Sequence, residues 1–400
     1  MLIEFKFKNS RSFYSEQEFS MVASNIKDLP ENTISLNHIP SLKNVSGLKS
    51  AVIYGSNASG KSGFIISMLN AILIIKNSFK YDPGQTIFRQ SFHSKERINE
   101  ETSYLFDFIV DDIRYIYSFA CNSQHILNES LLAYPKGKPQ RWFSRKRERD
   151  NSYSWEINKG KSWKKEDAIK DLTMENVLFL SRAATLDSER LKPVFNWFSQ
   201  KFNILFLSSG MGLSPELTDK MIIENNAKRI ELLQFMKKAD FGISDIQVDE
   251  NTNAINSLDR IRFIHSGPDM PFTKSMESSG TNLLFCLWSP LKTVLDNGWI
   301  LVVDELENSL HPLLLLEIIK LFNSTRNIKG AQLIFSSHNQ FLMSQKTFRR
   351  DQIWFCEKNL EGESSIFPLS DFKIRNDFSI SKGYISGRFG AIPNIIDPLI

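Results

Sequence analysis

Residues Gly55-Ser56-Asn57-Ala58-Ser59-Gly60-Lys61-Ser62 spell G-x-x-x-x-G-K-[ST] between the apolar run Ser50–Tyr54 and an apolar stretch of helical length, Gly63 to Ile75. A buried strand, a glycine-bounded loop and a helix in that order commit the chain to an α/β fold of the P-loop NTPase type. The physical reason is local. Glycines let the backbone curl so that its N–H groups face an anion. The helix that starts there adds partial positive charge. Lys61 then reaches the β- and γ-phosphates of a nucleotide, and Ser62 offers a hydroxyl to Mg2+. The pattern alone arises by chance often enough to be weak; the strand before it and the helix after it make it strong.

A second run, Ile300-Leu-Val-Val303-Asp304-Glu305, reads as a buried strand whose carboxylates emerge at its C-terminal end, where α/β sheets place their ligands. Asp304 suits the shell of a Mg2+ ion. Glu305 suits orienting and deprotonating an attacking water, in a reaction that depends on positioning and charge stabilisation. Taken alone, the run could be a strand ending in surface acids; beside the phosphate loop that reading recedes. Two weaker signals follow the same logic. Ser278-Ser279-Gly280-Thr281 opens a helix and can present free N–H groups to an anion, although an ordinary cap looks the same. His338 ends the strand-like run Leu333 to Ser337, where a neutral imidazole could meet a γ-phosphate.

The rest of the chain divides by pattern. Tyr104, Phe106 and Phe108 alternate before Asp111-Asp112, and Tyr115, Tyr117 and Phe119 alternate after it, which is a hairpin signature. Further strands are expected near 126–132, 140–144 and 152–157. Helices are expected over Leu186–Phe202 and Ser214–Lys238, the second opened by Ser214-Pro215-Glu216. A helix is also expected over Leu313–Ser324. The implied organisation is a discontinuous ATPase head (1–100 and 275–400), an antiparallel β lobe (101–165) and a mainly helical insertion (166–274). Neither helical stretch sustains a heptad, so no long coiled-coil arm is expected.

Composition bears on partners. The net charge is +4 over 400 residues, which permits contact with nucleic acid without requiring it. Between Lys136 and Arg149, Lys136, Lys138, Arg141, Arg145, Lys146, Arg147 and Arg149 interleave with Trp142 and Phe143, and Lys159, Lys161, Lys164 and Lys165 follow. That mixture suits phosphate contact with base stacking, as in DNA binding, and equally suits a solvated hairpin surface. Cys121, Cys286 and Cys356 are far apart and support no disulfide framework or zinc site. The N-terminus reads as a strand, not a signal peptide, and no apolar run reaches bilayer-spanning length. A cytoplasmic chain with no membrane span is expected.

Taken in order, the motifs resemble the ABC-type head ATPases of the SMC, RecF and OLD group, and within it the stand-alone RloA-like ATPases of bacterial defence loci. Asn9-Ser-Arg11-Ser-Phe13 is similar to the N-F-R-S-F opening of such heads, which implies that Asn9 and Arg11 lie near nucleotide. Asp304 to Pro312 resembles a Walker B and D-loop run. Ser278 and Gly280 are similar to the signature that reaches another subunit's ATP, and His338 to the switch histidine. The ending Tyr384 to Pro393 is similar to the RloA-like one. For the glutamine of the metal shell, Gln85 and Gln90 both qualify, with Gln90 preferred. The resemblance covers about half the chain, at its two ends. It implies ATP and Mg2+ as cofactors, hydrolysis by Glu305, His338 and Lys61, an ATP-dependent homodimer and a switch role that controls a separate effector such as a TOPRIM-type nuclease. The chain stops where OLD nucleases continue into their TOPRIM domain, so it is not expected to be the nuclease itself. A RecF-like DNA repair clamp and a housekeeping regulator are the rival readings. A transporter ATPase and a small-molecule kinase fit the motifs less well.

Overall fold

The computed structural model describes residues 1–158, 160, 163–238, 242–249, 260–375 and 378–393. The chain opens with β1 (Leu2–Lys8), β2 (Gln17–Ser20), the short pair β3 (Thr33–Ser35) and β4 (Ser46–Leu48), then β5 (Ser50–Tyr54) and α1 (Lys61–Asn77). Five strands follow: β6 (Thr102–Val110), β7 (Ile113–Cys121), β8 (Ile126–Ala133), β9 (Gln140–Arg147) and β10 (Tyr153–Ile157). Helices α2 (Lys164–Lys170), α3 (Phe179–Thr185) and α4 (Leu191–Gln200) lead to β11 (Phe202–Phe206). Then α5 (Pro215–Glu224) and α6 (Asn226–Lys238) precede the hairpin β12 (Ile243–Val248) and β13 (Ile261–His265). The last part runs α7 (Ser279–Asn297), β14 (Ile300–Asp304), α8 (Pro312–Asn323), β15 (Gln332–Ser336), β16 (Ile353–Lys358), β17 (Ser364–Pro368) and α9 (Ile380–Ile385).

Two sheets dominate. One is a six-stranded sheet in the order β11-β14-β15-β5-β16-β17, parallel except at the β17 edge. Its central strands are buried on both faces, and the period-two rule sends alternate residues to different cores. Ala51, Ile53, Ile300, Val302 and Ile334 face α1 and the other sheet, whereas Val52, Leu301, Val303, Leu333 and Phe335 share a cluster with α7 and α8. The second sheet is antiparallel, in the order β10-β9-β8-β7-β6-β1-β2. Its inner aromatic face packs on α1 and α4, with Phe108 stacked on Trp197 at a centroid separation of 4.1 Å. The α/β P-loop architecture expected from sequence is therefore present.

Lys61–Lys80 is long and apolar enough to cross a membrane by length and composition. Its position explains that composition: α1 is the core helix between the sheets, with Phe64, Ile65, Met68 and Ile75 fully buried.

Some local expectations change. The strands from 102 to 157 extend the sheet that starts with β1 and β2 instead of standing apart as a lobe. The helix expected over 186–202 is present as α4 over 191–200; it starts later because Asp187 is left-handed, with φ 56°, and it gives way to β11 at Phe202. The helix expected over 214–238 breaks at Asn225 (φ −144°, ψ 106°). Within 166–274, β11 belongs to the parallel sheet beside β14, and β12 and β13 form a hairpin. Cys121 and Cys356 are buried and free, while Cys286 is half-buried and free.

Candidate functional site

Three parallel strands end at one cavity. β5 ends in the loop Gly55–Gly60, β14 in Asp304 and Glu305, and β15 leads to His338. The cavity has a volume of about 1390 Å³ and is lined by Asn57 to Gly63, Glu305 and His338, together with Arg11 and Gln90.

The loop requires its glycines. A Cβ on Gly55 would stand 2.3 Å from the Cys356 carbonyl oxygen, so no larger residue fits between β5 and β16. Gly60 has φ 122°, and a Cβ there would fall 2.6 Å from Ser364 Oγ. Lys61 caps the loop from inside: its Nζ donates to the carbonyls of Gly55 and Ser56, each at 2.9 Å. Burial lowers its pKa, while Cys356, Asp304, Glu305 and Glu307 act in the opposite direction. Ser59 Oγ is buried with no hydrogen-bond partner, and Ser62 lines the cavity beside it.

The carboxylates are held by the neighbouring strand. Ser336 Oγ donates to Asp304 Oδ1 at 2.6 Å and accepts from the Glu305 N–H at 2.8 Å, so one hydroxyl fixes both residues. Asp304 is buried, and Glu305 turns out of the strand with φ 55°. The Glu307 carboxylate accepts from the His338 N–H, which ties the turn after β14 to the end of β15. Partial desolvation, then the charge of Lys61, hold the His338 imidazole below its ordinary pKa.

The donor set fits the cofactors implied by the motifs. A loop hydroxyl and carboxylates are hard oxygen ligands of the kind Mg2+ accepts. The orphaned Ser59 Oγ, the glycine-lined loop and the amine of Lys61 suit a polyphosphate.

Other expected residues fall differently. Arg11 lines the cavity and donates from Nη1 to Gln90 Oε1 at 3.0 Å. Gln90 also accepts from Asn70 at 3.3 Å. Gln85 is exposed and bonded to Asp82, so of the two candidate glutamines Gln90 is the one at the cavity. Asn9 is not brought to the cavity. Its side chain is buried, accepts from the Phe92 N–H at 2.8 Å and donates to the Glu100 carbonyl at 3.0 Å, which anchors the segment carrying Gln90. Ser278 caps α7, accepting from the Thr281 N–H at 3.1 Å, and neither it nor Gly280 lines this cavity. Sequence reading missed Ser336 behind the carboxylates, and Lys358 and Glu363, which also line the cavity. Ser336 sits two residues before His338 and could have been noticed; the turn between β16 and β17 carries no motif.

The basic stretch corrects an expectation. Trp142 and Phe143 are buried and unavailable for base stacking. Arg145 is in the core, donating to Glu129 at 3.0 Å with both side chains all but inaccessible. Arg141 pairs with Glu156, and Arg147 with Glu175. Lys159 and Lys161 lie outside the described residues.

A family model described as "AAA domain, putative AbiEii toxin, Type IV TA system" matches residues 50–344. Among solved structures, the chain is similar to the SMC head domain from Thermotoga maritima, at 13% identity over 93% of this chain and 99% of that one, with a TM-score of 0.44. It is also similar to the Smc head domain with an extended coiled coil bound to the C-terminal domain of ScpA, derived from Pyrococcus furiosus, at 12% identity over 97% and 98%, with a TM-score of 0.41. No curated protein matches it.

Proposed function

Because this chain belongs to the AAA-domain family whose model spans residues 50–344, we propose that it binds and hydrolyses ATP and uses the cycle as a switch over a separate effector. The observation that supports this most is the convergence of Lys61, Glu305 and His338 on one glycine-lined cavity, with Ser336 holding Asp304 behind them. In this reading the loop amides and Lys61 bind the β- and γ-phosphates. Ser62 and Asp304 would hold Mg2+, with Gln90 joining them once released from Arg11. Bound Mg2+ would supply charge neutralisation at the phosphates. Glu305 orients the water and takes its proton, and neutral His338 donates to or accepts from the γ-phosphate region.

Ser278 is exposed and Gly280 half-buried at the start of α7, and neither lines its own cavity, which supports a second copy of the chain completing the site. ATP would then favour the closed dimer, because only that state gains the extra phosphate contacts. The family description names a toxin system, which supports a role in RloA-like or OLD-like anti-phage defence in the cytoplasm, with a nuclease as the effector. The test is phosphate release by the wild type, Lys61→Ala and Glu305→Gln, with the mass of Glu305→Gln measured at saturating ATP. Release by wild type alone, with a dimer in the trapped variant, is expected. Equal release by all three would sink the ATPase reading, and a monomeric Glu305→Gln would sink the shared site.

A further inference from the structure

A second concavity, of about 1100 Å³, lies away from the ATP cavity and is lined by Arg350, Lys373, Arg375, Lys382 and Arg388. These cations come from three separate places: the turn before β16, the segment after β17, and α9 with the loop that follows it. No carboxylate lines this cavity among the described residues, and none of the five cations takes part in an ion pair there. Asn376 and Asp377 lie outside the described residues. The neighbouring Arg349 shows the contrast, since it is buried and paired with Asp351 at 2.8 Å. Arg350 is fixed by donating to the Ile374 carbonyl at 3.0 Å, and the Arg388 guanidinium sits 4.4 Å over the Phe378 ring.

A shallower groove of about 750 Å³ continues from this concavity, sharing Phe378 and Ser379 with it. Gln345 Nε2 donates to the Phe378 carbonyl at 3.1 Å and joins the two floors. The shallower groove holds one acid, Asp28, one cation, Lys346, and the ring of Phe341, which is 58% exposed. One half of the combined groove is thus cationic, and the other carries a solvent-facing aromatic ring.

Like charges gathered around a concavity focus a positive field and repel one another unless an anion joins them. Guanidinium groups match phosphate oxygens in pairs. A single phosphate would need only the cationic half. A linear polyanion whose repeating unit also carries a flat ring uses both halves, with backbone on the cations and bases against Phe341. We propose that this groove binds single-stranded nucleic acid. The inference is independent of the ATPase reading. The groove does adjoin that site: Phe341 follows His338 by three residues, and Tyr384 of α9 lies 6.1 Å from the ring of Tyr54, the residue before Gly55.

The test is anisotropy of a labelled 20-nucleotide oligo-dT with the full chain, without nucleotide, at 50 and 200 mM salt. Binding should weaken steeply with salt, since strand phosphates release counterions. The triple variant Arg375→Glu, Lys382→Glu, Arg388→Glu changes exposed side chains and should bind at least about tenfold more weakly, with unchanged circular dichroism. The matched variant Lys136→Glu, Lys138→Glu, Lys146→Glu alters net charge equally and should change binding less than about twofold if the charge is read locally. Phe341→Ala should weaken oligo-dT severalfold and leave inorganic polyphosphate unaffected. Wild-type binding by the groove variant, or equal loss in both charge variants, overturns the proposal. So does a Phe341→Ala variant that binds oligo-dT normally, or polyglutamate competing as well as the strand does.

Discussion

The two large sheets handle charged groups in opposite ways. In the parallel sheet the strand interiors are apolar on both faces, and the chemistry sits where the strands stop, at Gly55, Asp304 and the approach to His338. In the antiparallel sheet a charged node lies in the middle. Glu129 accepts from Arg145, from Tyr117 at 2.8 Å, and from the backbone N–H groups of Phe179 and Leu180 at 2.7 and 2.9 Å. That node joins β7, β8 and β9 to the start of α3. The first sheet sets the Glu305 carboxylate at a cavity open to a ligand; the second uses its buried charges as a fastener. A charged residue's meaning here depends on whether it sits at the end of a strand or within it.

That contrast can be broken or sharpened in order of effect. Glu305→Gln, at an open strand end, should reduce ATP turnover by about 10²-fold or more while leaving the melting temperature nearly unchanged. A large loss of stability would show that the strand end is itself structural. Arg145→Met should do the reverse, because removing one partner of a buried pair costs about 3–5 kcal/mol. Urea unfolding is the measurement, and a cost below about 1 kcal/mol would undo the fastener reading. Ser336→Ala tests the junction between the two behaviours. It should cost about 1–2 kcal/mol and slow turnover about tenfold, by freeing Asp304 and the Glu305 amide. Normal turnover would show that the carboxylates hold themselves.

The smallest effect concerns pH. The folded pKa of His338 is lowered, so the neutral ring is favoured by folding. Its contribution to stability is present above the ordinary imidazole value of about 6.5 and is lost as pH falls through the lower, folded value. An acid limb of turnover should therefore appear below about pH 6.5, and His338→Gln should flatten it. A limb that persists in the variant belongs to another group.

The parallel sheet was legible because its strands are apolar runs with motifs at their ends. β11 was not: Phe202–Phe206 contains Asn203 and follows α4 almost directly, so helical periodicity ran into it. The break at Asn225 was hidden because both flanks favour helix. Alternation revealed the aromatic face of β6 and β7, but density of charge along β9 misled, since Arg145 points inward and Trp142 and Phe143 are core. Asn9 was read as touching nucleotide from a resemblance; its amide instead satisfies the carbonyl of Glu100. The groove at 350–388 left no signature, because its cations are spread along the chain and gathered only by folding.

The position of β5 has a consequence for synthesis. Its hydrogen-bonding partners, β15 and β16, begin at Gln332 and Ile353, about 280 residues or more after β5 ends. At ~5–20 residues per second the ribosome leaves that strand unpaired for tens of seconds. The antiparallel strands can pair meanwhile, from mostly local contacts. The phosphate loop is therefore among the first functional segments to emerge and among the last to be shaped, with two apolar strand edges exposed in between. A nascent chain stalled before residue 330 should be bound by chaperones and fail to retain nucleotide, whereas the full 400-residue chain should do neither.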